Sequence, residues 1–362
     1  MSGRSPRLLS VDALRGLDML VIIGLDALIH ASACAWPIAP TAWLSEQFSH
    51  AEWSGIHLYD LVFPLFIFLS GVSLAVVDAR PSSQALSRGR RLASAARRAS
   101  ILLLLGIIYN FGWDWSWERL RIPSVLGLIG VSYFIAAATF ILVRNRSGRI
   151  ATAIAIAAIV AALQLLYPVP GIGSGALTPE ASINGYIDRL VLPGRLHGGA
   201  YDPEGLLGMV SASLIALAGA GAGAAIVSNS RAGTPLSLAL AGVVIGVAGC
   251  LLGVAYSLIK ALWTISFDLL AIGSCLLILA IARLSFDRET SSPVPRKAGE
   301  GLAPIGANAI VAYMVARFLV YPLYTPLAQF PLTVEIAGLC ALIAIQWFLY
   351  RALFARGWLL RV

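Results

Sequence analysis

Long apolar runs separated by short, arginine-bearing gaps constrain this chain more than any other feature. About 20 mostly apolar residues cross a bilayer as a helix, because lipid offers no hydrogen-bond partners and the backbone must satisfy itself. Ten such runs are predicted, at 14–32, 57–77, 99–113, 122–143, 150–168, 206–227, 236–256, 261–282, 303–320 and 333–351. Of 362 residues 59% are hydrophobic and 12% charged, where a soluble domain has about a quarter charged, so little chain is left for anything else. The predicted fold is an all-α polytopic membrane protein, one transmembrane domain over 1–362.

The net charge of +8 would suit nucleic acid, but the arginines sit between spans and build no basic face, so no nucleic-acid partner is expected. With the first span starting inside, the inner gaps and span ends hold 20 of the 26 Lys and Arg, which predicts cytoplasmic termini. The basic run Arg88 to Arg98 reads as a topology anchor or a patch for an anionic cytoplasmic ligand. Arg4, Arg7 and Arg15 before an apolar run resemble a signal peptide, yet Asp18 and Asp26 inside that run argue for an uncleaved first span. Only Lys260 and Lys297 are lysine, which with the abundance of Ala and Gly hints at a GC-rich bacterial genome, and the expected location is a bacterial inner membrane. The gap 283–302, with Ser291, Ser292, Pro293 and Pro295, reads as a linker. Cys34, Cys250, Cys275 and Cys340 lie far apart, indicating neither disulfides nor zinc.

Titratable residues concentrate between Phe48 and Gly71, where His50, Glu52, Trp53, His57, Tyr59 and Asp60 lead into an apolar span. All four histidines, with His30 and His197, fall at or beyond predicted outer span ends. A histidine takes and returns protons near neutral pH, so His50 and His57 are both candidate bases. Asp26 is placed to meet His50 as a proton-accepting or orienting partner, whereas Asp18 suits a structural pair with Arg317 or Asn308. Two predicted outer segments, 33–56 and 169–205, are long, show no obvious structure and read as functional. In the second, Asp202-Pro203-Glu204-Gly205 has the signals of a helix start, with Asp202 as N-cap. A metal site from His50, Glu52, His57 and His197 lacks close spacing, and no phosphate loop, nucleophile elbow or dinucleotide fingerprint appears.

Five stretches in order make the chain recognisable: SVDALRGLDML (Ser10 to Leu20), FSHAEWSGIHLYDLVFPLFIF (Phe48 to Phe68), GYIDRLVLPGRLHGGAYDPEGLLG (Gly185 to Gly208), KALWTISF (Lys260 to Phe267) and GANAI (Gly306 to Ile310). Together they resemble the heparan-α-glucosaminide N-acetyltransferase family and its bacterial relatives, from residue 8 to about 320. That resemblance implies a transmembrane acyltransferase carrying an acetyl group from cytosolic acetyl-CoA to the amine of a terminal glucosamine on the other side, without a metal. It selects His50, in His50-Ala51-Glu52-Trp53-Ser54-Gly55, over His57.

With His50, Asp26 is expected to be catalytic; Trp53, Asp60, His197, Asp202 and Glu204 are expected at the acceptor, and Arg15, Lys260, Trp263, Ser266 and Asn308 at acetyl-CoA. The animal enzymes carry asparagine where this chain has Asp26. Gly127 and Leu128 replace a Gln-Arg pair common in relatives. Expected partners are acetyl-CoA, an amino-sugar acceptor and the bilayer, and a homodimer is left open. The competing reading is an amino-sugar permease, suggested by Pro64 inside a span.

Overall fold

The computed structural model describes residues 8–287 and 293–360; Arg4, Arg7, Ser291 and Ser292, on which the predicted arginine bias and linker partly rest, lie outside the described residues. Thirteen main helices build the described fold: Leu9–Ala35 (α1), Ala39–Gln47 (α2), Leu58–Asp78 (α3), Arg88–Phe111 (α4), Val125–Leu142 (α5), Arg146–Leu166 (α6), Ile183–Val191 (α7), Leu206–Val227 (α8), Pro235–Gly253 (α9), Ile265–Asp287 (α10), Pro293–Ala307 (α11), Ala309–Leu327 (α12) and Leu332–Ala355 (α13). Ten of them, all but α2, α7 and α11, are long and apolar enough to cross a membrane, and no β-strand occurs among the described residues. The fold is therefore all-helical with ten candidate spans, as predicted.

Local sequence explains where several helices start. Ser87, Ser124, Asn145, Ser182 and Thr234 each accept an N–H from the first turn of α4, α5, α6, α7 and α9. Such caps take up donors that a helix start leaves orphaned. The basic run Arg88 to Arg98 forms the first three turns of α4, extending that helix well before the predicted 99.

Four expectations need correction. Pro64 does not interrupt a span: it sits in the first turn of the α-helix Val62–Asp78, where a missing N–H costs nothing. The segments 33–56 and 169–205 are not structureless, since they contain α2 and α7. Much of the supposed linker is helical, because Pro293 opens α11 as a first-turn proline. The predicted ninth span, 303–320, is split at Asn308, the N-cap of α12.

The chain divides into two compact units, one of Met1–Ala51, His57–Val62 and Ile278–Arg361, the other of Glu52–Ile56 and Phe63–Leu277. In the first, α1 and α11 approach backbone to backbone: a side chain on Gly16 would strike the Leu302 carbonyl, and one on Gly306 the Asp12 carbonyl. Small residues at such contacts let helices pack closely in lipid. Val11, Ala13, Leu14, Met19, Ile22 and Ile23 of α1 are buried there. Helix α1 is itself broken, with a π-turn at Val21–Leu25 centred on Gly24 (φ 149°, ψ −8°), a conformation that favours glycine.

In the second unit α5 packs against both α4 and α8, and α8 buries Ala212, Ile215, Ala216 and Ala220 completely. Helices α6 and α9 bury few residues and expose Ile154, Ile159, Leu240, Val244 and Leu251, as helices facing lipid do. Gly127 and Leu128, at the departure from the Gln-Arg pattern, belong to this packing: Gly127 N–H is capped by Ser124 and Leu128 is fully buried.

Candidate functional site

The first turn of α3 folds back on His50. Residues Leu58–Leu61 form a 3₁₀ turn that buries Asp60, whose carboxylate gathers three donors. Asp60 Oδ1 lies 2.8 Å from His50 Nδ1, while Oδ2 accepts the N–H groups of Ala51 (3.2 Å) and His57 (3.0 Å). Asp60 is 1% exposed and the His50 side chain 50%, so a fixed, buried acid orients an accessible imidazole. A carboxylate at Nδ1 selects the tautomer protonated there and makes Nε2 the basic nitrogen. His57 points its Nδ1 at the Ser49 carbonyl (3.1 Å), which buttresses the same turn.

Asp26 reaches this group through Tyr59. The Tyr59 ring packs on that of His50 with centroids 4.7 Å apart, and its hydroxyl donates to Asp26 Oδ2 at 3.1 Å. The orienting partner of His50 expected at Asp26 is thus Asp60, a residue expected from sequence at the acceptor. Nothing in the sequence pattern assigns Tyr59 a role of its own. Asp26 heads the second half of α1, its Oδ1 accepting Ala27 N–H at 2.7 Å, and a helix start favours a carboxylate. Elsewhere in this unit Arg15 pairs with Asp12 at 3.7 Å, Asn308 donates to the Pro304 carbonyl at 3.0 Å, and Asp18 is buried.

The second unit holds a separate cluster of charges. Arg121 grips Asp202 with two hydrogen bonds, Nε to Oδ2 at 2.7 Å and Nη2 to Oδ1 at 2.6 Å, and also bonds Glu204. Asp202 accepts the N–H groups of His197 (3.0 Å) and Glu204 (3.1 Å), so it ties a loop together. It is not the predicted cap of α8: that cap is Asp188, on α7, whose Oδ1 accepts Leu206 N–H at 2.9 Å. Burial pushes Asp188 up to about 6 and, against the pull of Arg121, Glu204 up to about 7. Burial also opposes ionisation of Asp202, but the Arg121 guanidinium wins and holds it below its usual range. Trp53 joins the same segment, donating to the Leu177 carbonyl at 2.9 Å and meeting the Tyr201 ring edge-on at 5.1 Å.

The residues of KALWTISF are mostly committed inside this unit. Trp263, 2% exposed and at φ 49°, donates to the Pro203 carbonyl at 2.7 Å. Ser266 is buried and donates to the Ser257 carbonyl at 3.0 Å, while the Lys260 ammonium lies 5.4 Å from the Phe63 ring centre. Among the described residues no three His, Cys, Asp or Glu side chains converge as a metal site.

No protein-family model matches the chain. Curated relatives do: the heparan-alpha-glucosaminide N-acetyltransferase of Homo sapiens is 29% identical over 273 residues, and that of Mus musculus 28% identical over 271. These matches cover 62% and 61% of this chain and 39% of each relative, so the aligned region spans about two fifths of those proteins. The motifs, the ten spans and these matches agree, and the chain is a homologue of the heparan-alpha-glucosaminide N-acetyltransferases.

Proposed function

We propose that this chain is a membrane-embedded acyltransferase, moving the acetyl group of cytosolic acetyl-CoA to the amine of a glucosamine-type sugar on the outer side of a bacterial inner membrane, with His50 as general base. The observation that carries the reading is the buried Asp60 holding Nδ1 of a half-exposed His50, in a homologue of enzymes named for N-acetyl transfer. In the proposed reaction His50 Nε2 removes a proton from the acceptor amine as the nitrogen lone pair attacks the thioester carbonyl. The carbonyl π electrons move to oxygen. On their return the C–S bond breaks, and the thiolate leaves with its electron pair and receives the proton from the imidazolium.

Asp60 stabilises the imidazolium between these steps, and Asp26, through Tyr59, helps to hold the ring in place. A thioester needs only a positioned, deprotonated amine, so a direct transfer suffices without an acetylated histidine. The arginine bias supports cytoplasmic termini, which puts the phosphates of CoA on the side of Arg15.

Purified protein given acetyl-CoA and glucosamine should release free thiol, and His50→Ala should abolish the release. Labelled glucosamine uptake into proteoliposomes without thiol release would establish the permease instead.

A further inference from the structure

The break in α1 is held open by side chains from two other spans. In an unbroken helix the carbonyls of Ile22 and Ile23 would accept the N–H groups of Asp26 and Ala27. Here Asp26 N–H reaches back to the Val21 carbonyl, and Ala27 N–H turns to the Asp26 carboxylate. Two carbonyls inside a predicted membrane span therefore lose their helical donors, which lipid cannot replace. Tyr321 of α12 donates to Ile22 O at 3.0 Å, and both Tyr324 of α12 and Gln346 of α13 donate to Ile23 O at 3.0 Å. Gln346 is 3% exposed, and the Tyr324 hydroxyl lies 3.0 Å from where a Cβ on Gly24 would stand.

The break decides where Asp26 points. A π-turn inserts one residue, so restoring α-helical geometry would swing the residues beyond it by about 100° around the axis. The same swing would take Asp26 away from the Tyr59 hydroxyl, and Tyr59 packs on His50. We infer that Tyr321, Tyr324 and Gln346 are positioning residues: by holding the Ile22 and Ile23 carbonyls they keep α1 broken at Gly24 and keep Asp26 aimed at the Tyr59–His50 pair. The inference rests on the reading of His50 as the base of an acetyl transfer.

The test is a double-mutant cycle with kinetics normalised to monodisperse protein. Tyr324→Phe with Gln346→Leu should lower kcat about tenfold or more and leave KM for acetyl-CoA within about twofold, since what is lost is alignment of the reacting groups. In an Asp26→Asn background the same pair should cost less than about twofold more, because both changes disable one device. Equal losses in the two backgrounds, or an unchanged kcat in the first, would overturn the inference.

Where the pair does not fold, Tyr324→Phe alone, which leaves Gln346 on Ile23 O, is carried through the same cycle. Should wild type release no thiol, or His50→Ala release as much, the acyltransferase reading fails. The clamp is then judged by infrared difference spectra of wild type against Asp26→Asn. A displaced Asp26 carboxyl band in the Tyr324→Phe variant supports it, and an unmoved band refutes it.

Discussion

Replacing Asp60 by asparagine isolates what the buried acid contributes to His50. The amide keeps the shape of the side chain but must present one NH₂ where the acid presented two acceptors. The acid accepts two backbone N–H groups on Oδ2 and faces one imidazole nitrogen on Oδ1. Turning the NH₂ toward Ala51 and His57 would leave two buried donors facing a third, at about 1–3 kcal/mol for each unsatisfied group. Turning it toward His50 asks only that the imidazole proton move from Nδ1 to Nε2. The second arrangement wins, and it removes the lone pair from the nitrogen that is to act as base.

A histidine held in the wrong tautomer by the same Asp-to-Asn change in a serine protease loses about 10⁴ in kcat. A loss of about 10³–10⁴ is expected here, or roughly 4–5 kcal/mol of barrier. Thiol release at saturating acetyl-CoA and glucosamine measures it, with size-exclusion profiles confirming folded protein. An Asp60→Asn variant within about threefold of wild-type kcat would refute the tautomer argument, since no catalytic orienter is that dispensable.

Arg121→Leu should lower the thermal unfolding midpoint in detergent strongly, by the equivalent of about 3–5 kcal/mol, because it leaves the buried Asp202 and the part-buried Glu204 without their counter-charge. Arg121→Lys should recover only part of this, as one ammonium cannot reproduce two parallel hydrogen bonds; an unchanged midpoint in the leucine variant would count against the cluster as a staple. Stability should also fall as pH rises. Glu204 and Asp188 release their protons at about 7 and about 6 in the fold, whereas unfolded carboxylates release theirs near ~4. The fold holds the extra protons in between, so their contribution is full below the unfolded values and is lost as pH passes through the folded ones. Glu204→Gln should flatten that fall in a midpoint-versus-pH series.

The spans are legible because lipid leaves the backbone one option, so hydropathy alone finds ten, although it draws the ninth across the break at Asn308. What stays hidden depends on contacts between distant residues. Asp202 carries the local signals of a cap, yet the cap is supplied from 18 residues upstream by Asp188, while Asp202 answers to Arg121, 81 residues away. Asp60 reads in sequence as a substrate ligand because the nine residues between it and His50 pass through a loop and a 3₁₀ turn whose closure no periodicity reports. Asp26 stands out in the sequence as an acid that needs a reason to sit in a span. Its reason lies in a glycine two residues earlier and in polar residues some 300 positions on.

Those separated residues amount to one constraint. A membrane helix cannot open its backbone unless another helix brings donors, and a buried tyrosine or glutamine is costly unless it finds an acceptor. Gly24 frees the acceptors, and Tyr321, Tyr324 and Gln346 bring the donors, so each justifies the other where either alone would destabilise the bundle. The gain from the exchange is a helix start at Asp26, well inside a span, where a carboxylate is otherwise among the least tolerated groups. A straight first span would need none of these polar residues and would have no comparable way to hold an acid beside Tyr59. Their joint presence is therefore better explained by the placement of Asp26 than by helix packing, for which leucine at 346 and phenylalanine at 324 would serve.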